Sequence, residues 1–107
     1  FALVAFDALT DARRAAEVRA RLEESGRQVI ALSAAQVADF AGNAIELSGR
    51  DGRVLALSQR AMDSLTAAQR SVITASARLL PLAVPTIELA GGSVRCMLAG
   101  IHLSPRC

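Results

Sequence analysis

Residues 1–32 read FALVAFDALTDARRAAEVRARLEESGRQVIAL, an apolar run, a charged amphipathic stretch and a second apolar run. Phe1 to Phe6 has the length and apolar character of a short strand. Thr10 suits the N-cap position and Asp11 the positive end of a helix. The spacing predicts a helix over Asp11 to Ser25, with Ala15, Val18 and Leu22 on one face. On the wet side Arg13–Glu17, Glu17–Arg21 and Arg19–Glu23 are i,i+4 pairs. Gly26 stands where a helix C-terminal glycine belongs, and Gln28 to Leu32 reads as a second strand. The same strand–helix–strand order returns over Arg53 to Val84 (RVLALSQRAMDSLTAAQRSVITASARLLPLAV). A recurrence at an offset of about fifty residues marks a modular array such as a propeller. The fold class expected is therefore α/β.

Between and beyond these units the punctuation is clear. Ser33-Ala34-Ala35-Gln36 has capping-box spacing and opens a short helix, which Gly42-Asn43 ends. Ala44 to Leu47 and Arg53 to Leu57 read as strands on either side of Ser48 to Gly52. Thr66-Ala67-Ala68-Gln69 is a second capping box, opening a helix expected to run to about Arg78 and to bury Leu65, Ala68, Val72 and Ile73. Leu80 to Val84 reads as a strand stopped by Pro85. Thr86 to Leu89 and Val94 to Leu103 read as two further strands joined through Ala90, Gly91, Gly92 and Ser93.

Composition narrows the function. Apolar residues make up 52% of the 107, yet aromatics only 3%, so the core must come from Ala, Val, Leu and Ile. A chain this short buries a smaller fraction of its surface than a large one, so part of its apolar surface is expected to lie against something else. All twelve basic residues are Arg, scattered and mostly near acids. Without a basic stripe or interleaved aromatics, nucleic acid is not an expected partner. No run reaches the ~20 apolar residues of a membrane span. Phe1 to Phe6 lacks the basic flank of a signal peptide. Two cysteines make no disulfide framework, and a cytoplasmic location is the default.

The stretch that carries chemistry is Pro85 to Ala99, PTIELAGGSVRCMLA. A Gly91-Gly92-Ser93 loop leads within three residues to Cys96. Glycine lets the backbone turn and approach a ligand, so a thiol just beyond it could be presented to a pocket. The thiolate is the reactive form, and positive charge nearby lowers a thiol's pKa. Two readings stay open from these residues: a presented nucleophile, or an inert cysteine buried beside a hairpin turn. On a strand, alternation would send Arg95 to the face opposite Cys96. His102, the only histidine, would lie about 20 Å along the strand from Cys96 at about 3.3 Å per residue, too far to serve as its base. Glu88 reads as an acid that supports the site or, more simply, as a solvated strand residue. Cys107 ends the chain and is expected neither to pair with Cys96 nor to act as the nucleophile.

PTIELAGGSVRCMLA, with FAGNAIEL at Phe40 to Leu47 and SQRAMDSLTAAQ at Ser58 to Gln69, resembles the guanidino-group-modifying enzymes of the pentein superfamily. The similarity is closest to the citrulline-utilisation hydrolases, or arginine deiminase-related proteins. The resemblance implies a five-bladed α/β-propeller of strand–strand–helix–strand units. Residues 1–107 would then be the C-terminal part, about two units, of a single amidinotransferase-like domain whose N-terminal units lie upstream. A start at Phe1 fits that expectation. The resemblance also implies that Cys96 is the catalytic nucleophile and that Asn43, Gly91, Gly92 and Ser93 border the substrate. The histidine base and the acids that grip the substrate would lie before Phe1. It implies a small guanidino or ureido amino acid as substrate, with citrulline ahead of arginine, and neither metal nor organic cofactor. An arginine deiminase, an amidinotransferase and a non-enzymatic α/β interaction domain remain the alternatives. The expected partner is the rest of the same protein, with neither nucleic acid nor membrane, and uncovered strand edges leave a homo-oligomer open.

Overall fold

The computed structural model describes residues 1–106, with Cys107 outside the described residues. Two sheets carry the chain. In the first, β1 (Ala2–Val4) and β2 (Val29–Ala31) pair in parallel, Ala2 opposite Val29. Between them runs α1 (Ala12–Glu24). In the second, β3 (Ile45–Gly49) and β4 (Gly52–Ser58) form an antiparallel hairpin closed at Gly49 and Gly52. β4 then pairs in parallel with β5 (Arg78–Leu82), Val54 opposite Arg78, after two short helices, α3 (Gln59–Ser64) and α4 (Ala67–Thr74). Both repeats read in the sequence are thus parallel strand–helix–strand crossovers. α2 (Ala34–Ala38) joins the first to the hairpin, and α5 (Pro85–Leu89) follows β5.

β4 is the centre. Flanked by β3 and β5, it buries Val54, Leu55, Ala56, Leu57 and Ser58 in succession. A strand covered on both faces reads as a continuous apolar run rather than an alternation, which is what VLAL is. Leu57 and Ile73 of α4 are both fully buried. α1 lies on the outside. Ala15, Val18 and Leu22 are half-buried on its inner face, and none of its residues is fully buried.

Capping decides most boundaries. The N-cap of α1 is Asp11, one residue later than expected. Its carboxylate accepts from the Arg13 and Arg14 amides at 2.9 and 3.4 Å, and a carboxylate also complements the helix dipole there. Glu17 is held by Arg13 and Arg14, at 3.4 and 3.3 Å, rather than by Arg21. Gly26 closes α1 with φ +81°, its N–H donating to the Glu23 carbonyl and the Arg27 N–H to that of Leu22. This is the Schellman pattern.

α4 stops at Thr74, short of Arg78, because Arg78 is taken by the ladder to Val54. Ala68 is exposed rather than buried. α3 comes as a separate helix, capped by the buried Ser58 hydroxyl, which accepts from the Ala61 amide at 3.0 Å.

Both capping boxes form, and their glutamines meet. Gln36 and Gln69 each accept from the backbone N–H of their own N-cap residue, Ser33 and Thr66. Gln36 Nε2 donates to Gln69 Oε1 at 2.6 Å and to the Ser64 carbonyl at 2.9 Å. Gln69 Nε2 donates back to Gln36 Oε1 at 3.2 Å and to the Ala31 carbonyl at 2.8 Å. Every amide donor and both oxygens are engaged. Removing either side chain leaves one amide donor of the other without its partner in a part-buried place. Gln36→Ala or Gln69→Ala should each cost about 1–3 kcal/mol in denaturant unfolding of the intact protein. The double variant should lose less than the sum of the two.

Candidate functional site

The C-terminal segment departs from the sequence expectation twice. Thr86 to Leu89 lies in a helix, not a strand. Pro85 occupies the first turn of α5, where its missing N–H costs nothing and its fixed φ starts the helix. Val94 to Leu103 is not a strand either. Val94–Met97 is a 3-10 turn, and residues 98–106 are irregular. The segment spends its backbone bonds elsewhere. Cys96 N–H donates to the Ser93 carbonyl, Leu98 N–H to that of Arg95, and Arg95 N–H across to that of Asn43. The 20 Å separation of Cys96 and His102 therefore loses its basis. Among the described residues, no hydrogen bond joins His102 to Cys96.

The turn holding Cys96 is anchored from below and open above. Ser93 and Val94 are buried, and Ser93 Oγ donates to Glu88 Oε2 at 3.1 Å. Glu88 is thus a half-buried helix residue tied to the loop, not a solvated strand residue. Gly91 adopts φ +96°, closing the turn after α5. Gly92 lies so close that a Cβ there would stand 3.1 Å from Cys96 Cβ and 3.2 Å from its sulfur. Cys96 itself is exposed, with no disulfide partner among the described residues.

Asn43 reaches it from the loop between α2 and β3. Asn43 Nδ2 donates to Cys96 Sγ at 3.1 Å, and Asn43 Oδ1 accepts from the Cys96 amide at 3.4 Å. Arg95 ties the same two loops together, its guanidinium donating to the Ala44 carbonyl at 2.9 Å. The hydrogen bond from Asn43, then one from the Ser93 backbone, lower the thiol's pKa from its ordinary value. What burial there is opposes them, and the charge of Arg95 assists. Arg95 was expected across a strand from the thiol. On a 3-10 turn its field reaches the sulfur.

The loop that delivers Asn43 is strained. α2 ends in a second Schellman turn: Phe40 N–H donates to the Val37 carbonyl and Ala41 N–H to that of Gln36. The residue at the glycine position is Phe40, with φ +64°, a conformation that costs a bulky L-residue about 1–2 kcal/mol. Phe40's carbonyl then accepts from Asn43 N–H at 2.9 Å. No local pattern announces this strain, since a phenylalanine before Ala41-Gly42 reads as an ordinary apolar residue.

Of the residues expected at the site, Asn43, Gly92, Ser93 and Cys96 come together, while Gly91 shapes the turn. A cleft of about 360 Å³ adjoins them, lined by Phe1, Leu3, Gly42, Ala44, Glu46 and Arg95 among others. A second, of about 410 Å³, lies between α3 and α5 and includes Arg60, Pro85 and Glu88. Cys96 lines neither. Among the described residues no group of three or more His, Cys, Asp or Glu could hold a metal ion. No helix among them is long and apolar enough to cross a membrane.

The family model for eukaryotic N,N-dimethylarginine dimethylhydrolase matches residues 1–103. The chain belongs to the dimethylarginine dimethylhydrolase family. That is a hydrolase family of the guanidino-modifying pentein superfamily, as the resemblance in the sequence implied. No curated protein and no solved structure matches the chain.

Two outcomes follow for the thiol. A group whose pKa is lowered stays deprotonated to a lower pH. The pH midpoint for alkylation of Cys96 in the intact protein should therefore lie below that of a free cysteine, and Asn43→Ala should move it upward. Gly92→Ala should slow alkylation by about tenfold or more, because the new methyl must displace the sulfur or the turn. Stopped-flow labelling across pH reads both.

Proposed function

We infer that the intact protein hydrolyses the guanidino group of a methylated arginine, with Cys96 as the nucleophile. The match over residues 1–103 to the dimethylarginine dimethylhydrolase family carries this reading. It favours N,N-dimethylarginine over the citrulline that the resemblance of the three sequence stretches implied. The geometry supports it: an exposed thiol, gripped by Asn43 and with its pKa lowered, beside a glycine that leaves the sulfur room.

In the proposed reaction the Cys96 thiolate attacks the guanidino carbon. The bond from that carbon to the dimethylated nitrogen breaks, and the amine leaves with a proton supplied by a group outside residues 1–106. A thiouronium remains on the sulfur. Water, deprotonated by the same group, adds to its carbon, the C–S bond breaks, and a ureido amino acid leaves. N,N-dimethylarginine and water thus give citrulline and dimethylamine. Splitting one displacement into two lowers each barrier. Asn43 stabilises the sulfur as attacking and as leaving group, since a hydrogen bond to the charged form favours it.

The remaining parts of this reading are architectural. The order β3-β4-helices-β5 is compatible with the strand–strand–helix–strand unit expected of a propeller, and β1-α1-β2 has the order of its last three elements. We take the chain as about two of five such units, completed by the N-terminal units of the same protein. These would supply the base and the carboxylates for the guanidinium nitrogens.

The test is a set of assays on the intact protein. Dimethylamine and citrulline should form from N,N-dimethylarginine. Cys96→Ser should lower that turnover by about 10³-fold or more and abolish labelling by a haloacetamidine. Ornithine from citrulline, with no turnover of dimethylarginine, would reverse the substrate assignment. Transfer of the amidino group to an amine would make the enzyme a transferase. A thiol that resists alkylation at neutral pH would favour the inert interaction domain.

A further inference from the structure

The strained turn at Phe40 has a clasp. Arg60, on the first turn of α3, donates from Nε to Asp39 Oδ1 at 2.8 Å. Its guanidinium also lies over the Phe40 ring, 5.7 Å from the centroid. Asp39 is the C-cap of α2 and Phe40 the left-handed residue after it. One cation thus holds both residues on which the turn depends. The turn delivers Asn43, and Asn43 is the group that touches the thiol.

We propose that Arg60 is a positioning residue, which with Asp39 and Phe40 fixes the α2–β3 loop so that Asn43 meets the Cys96 sulfur. The proposal rests on the reading of Cys96 as nucleophile and adds a residue of α3 that touches neither the sulfur nor Asn43. The observations favour it over a purely structural role. A left-handed phenylalanine persists only where its surroundings over-determine it, and such strain collects at functional sites. Glycine would satisfy the turn without strain, but it would lose the ring on which Arg60 lies. The ion pair itself is exposed, 56% for Arg60 and 39% for Asp39, and a pair that open adds little to overall stability. Its removal should therefore leave the fold standing and move only the loop. Of the charged groups around the thiol, Arg95 is the one whose field reaches it, while Glu88 is turned toward Ser93 and Arg60 toward Asp39.

Geometry and field predict opposite outcomes for one variant, which makes the test decisive. Arg60→Ala, Asp39→Ala and Asn43→Ala are made in the intact protein, and Cys96 alkylation by iodoacetamide is followed across pH. Folding is checked by circular dichroism and melting. If the clasp acts through Asn43, Arg60→Ala and Asp39→Ala should both raise the alkylation midpoint by about 0.5 unit, which is about threefold slower labelling below it. In an Asn43→Ala background neither should add anything. A direct field would instead make Asp39→Ala, which removes an anion, lower the midpoint, and that result would overturn the proposal. So would unchanged midpoints in both clasp variants while Asn43→Ala shifts its own, an outcome that leaves the reading of Cys96 intact. An unchanged profile in Asn43→Ala would also overturn the proposal, whereas a Cys96 that resists alkylation at neutral pH would overturn the reading of the nucleophile on which it rests.

Discussion

Two glutamine side chains hold the halves of this chain in register. Gln36 and Gln69 each close the first turn of their own helix and then exchange amide hydrogen bonds with each other. Because each also binds a carbonyl of the neighbouring segment, Ser64 and Ala31, the pair fixes four chain segments at one point. Such a network is worth most when no member is left over, and here none is. The apolar core around Leu57 and Ile73 supplies the driving force for collapse, but apolar contact has no direction. The amide pair supplies it. It sets where the first crossover sits against the second.

From that point the geometry runs along the chain to the thiol. Gln36 caps the start of α2, and its carbonyl accepts from Ala41 at the helix's end. The helix has only five residues, so fixing its start fixes its end. Residues 39–44 carry the chain from there into β3, and the left-handed Phe40 turns it at some cost in strain. The carbonyl of Phe40 holds the Asn43 amide, and the Asn43 side chain grips both the sulfur and the backbone N–H of Cys96. On the other side, buried Ser93 and Val94 hold the 3-10 turn down, so that Cys96 meets Asn43 while remaining open to solvent. Positions distant in sequence are thus linked by a few hydrogen bonds, each between groups that have little room to relax.

The sequence disclosed what depends on local chemistry. Both capping boxes, the Gly26 terminus, the two strands around Ser48 to Gly52 and the two strand–helix–strand units follow local patterns, and they are present. It misled where a local pattern competes with a neighbour that only the fold supplies. Thr86-Ile87-Glu88-Leu89 alternates like a strand, yet no strand among the described residues pairs with it, and Pro85 starts a helix. Val94 to Met97 is apolar enough for a strand, but its backbone is claimed by Ser93 and Asn43. The same holds at the site. Cys96 and its glycines stood out through spacing, and Asn43 through the FAGN motif. The clasp of Asp39, Phe40 and Arg60 carried no mark, because an ion pair spanning twenty-one positions leaves no periodicity and a strained φ leaves no composition.

Substrate identity divides along the same line. In the proposed reaction Cys96 meets the one atom that guanidino and ureido groups share, the central carbon. A nucleophile serves either group, so a motif centred on it ranks them poorly, and citrulline came first. The two differ in what surrounds that carbon. A guanidinium is a cation whose nitrogens suit carboxylates, whereas a ureido group is neutral and presents an oxygen that needs a donor. Methylation keeps the cation but blocks part of its hydrogen bonding, so a methylated arginine asks for charge and apolar room together. Those demands fall on residues spread over the whole fold. In the proposed reading the carboxylates among them lie outside residues 1–106, so the match over residues 1–103 ranks the substrates through the family it identifies. In the proposed reaction citrulline then changes place. Displacing dimethylamine by water turns a dimethylguanidino group into a ureido one, so the amino acid that the resemblance implied as substrate is what the hydrolase would release.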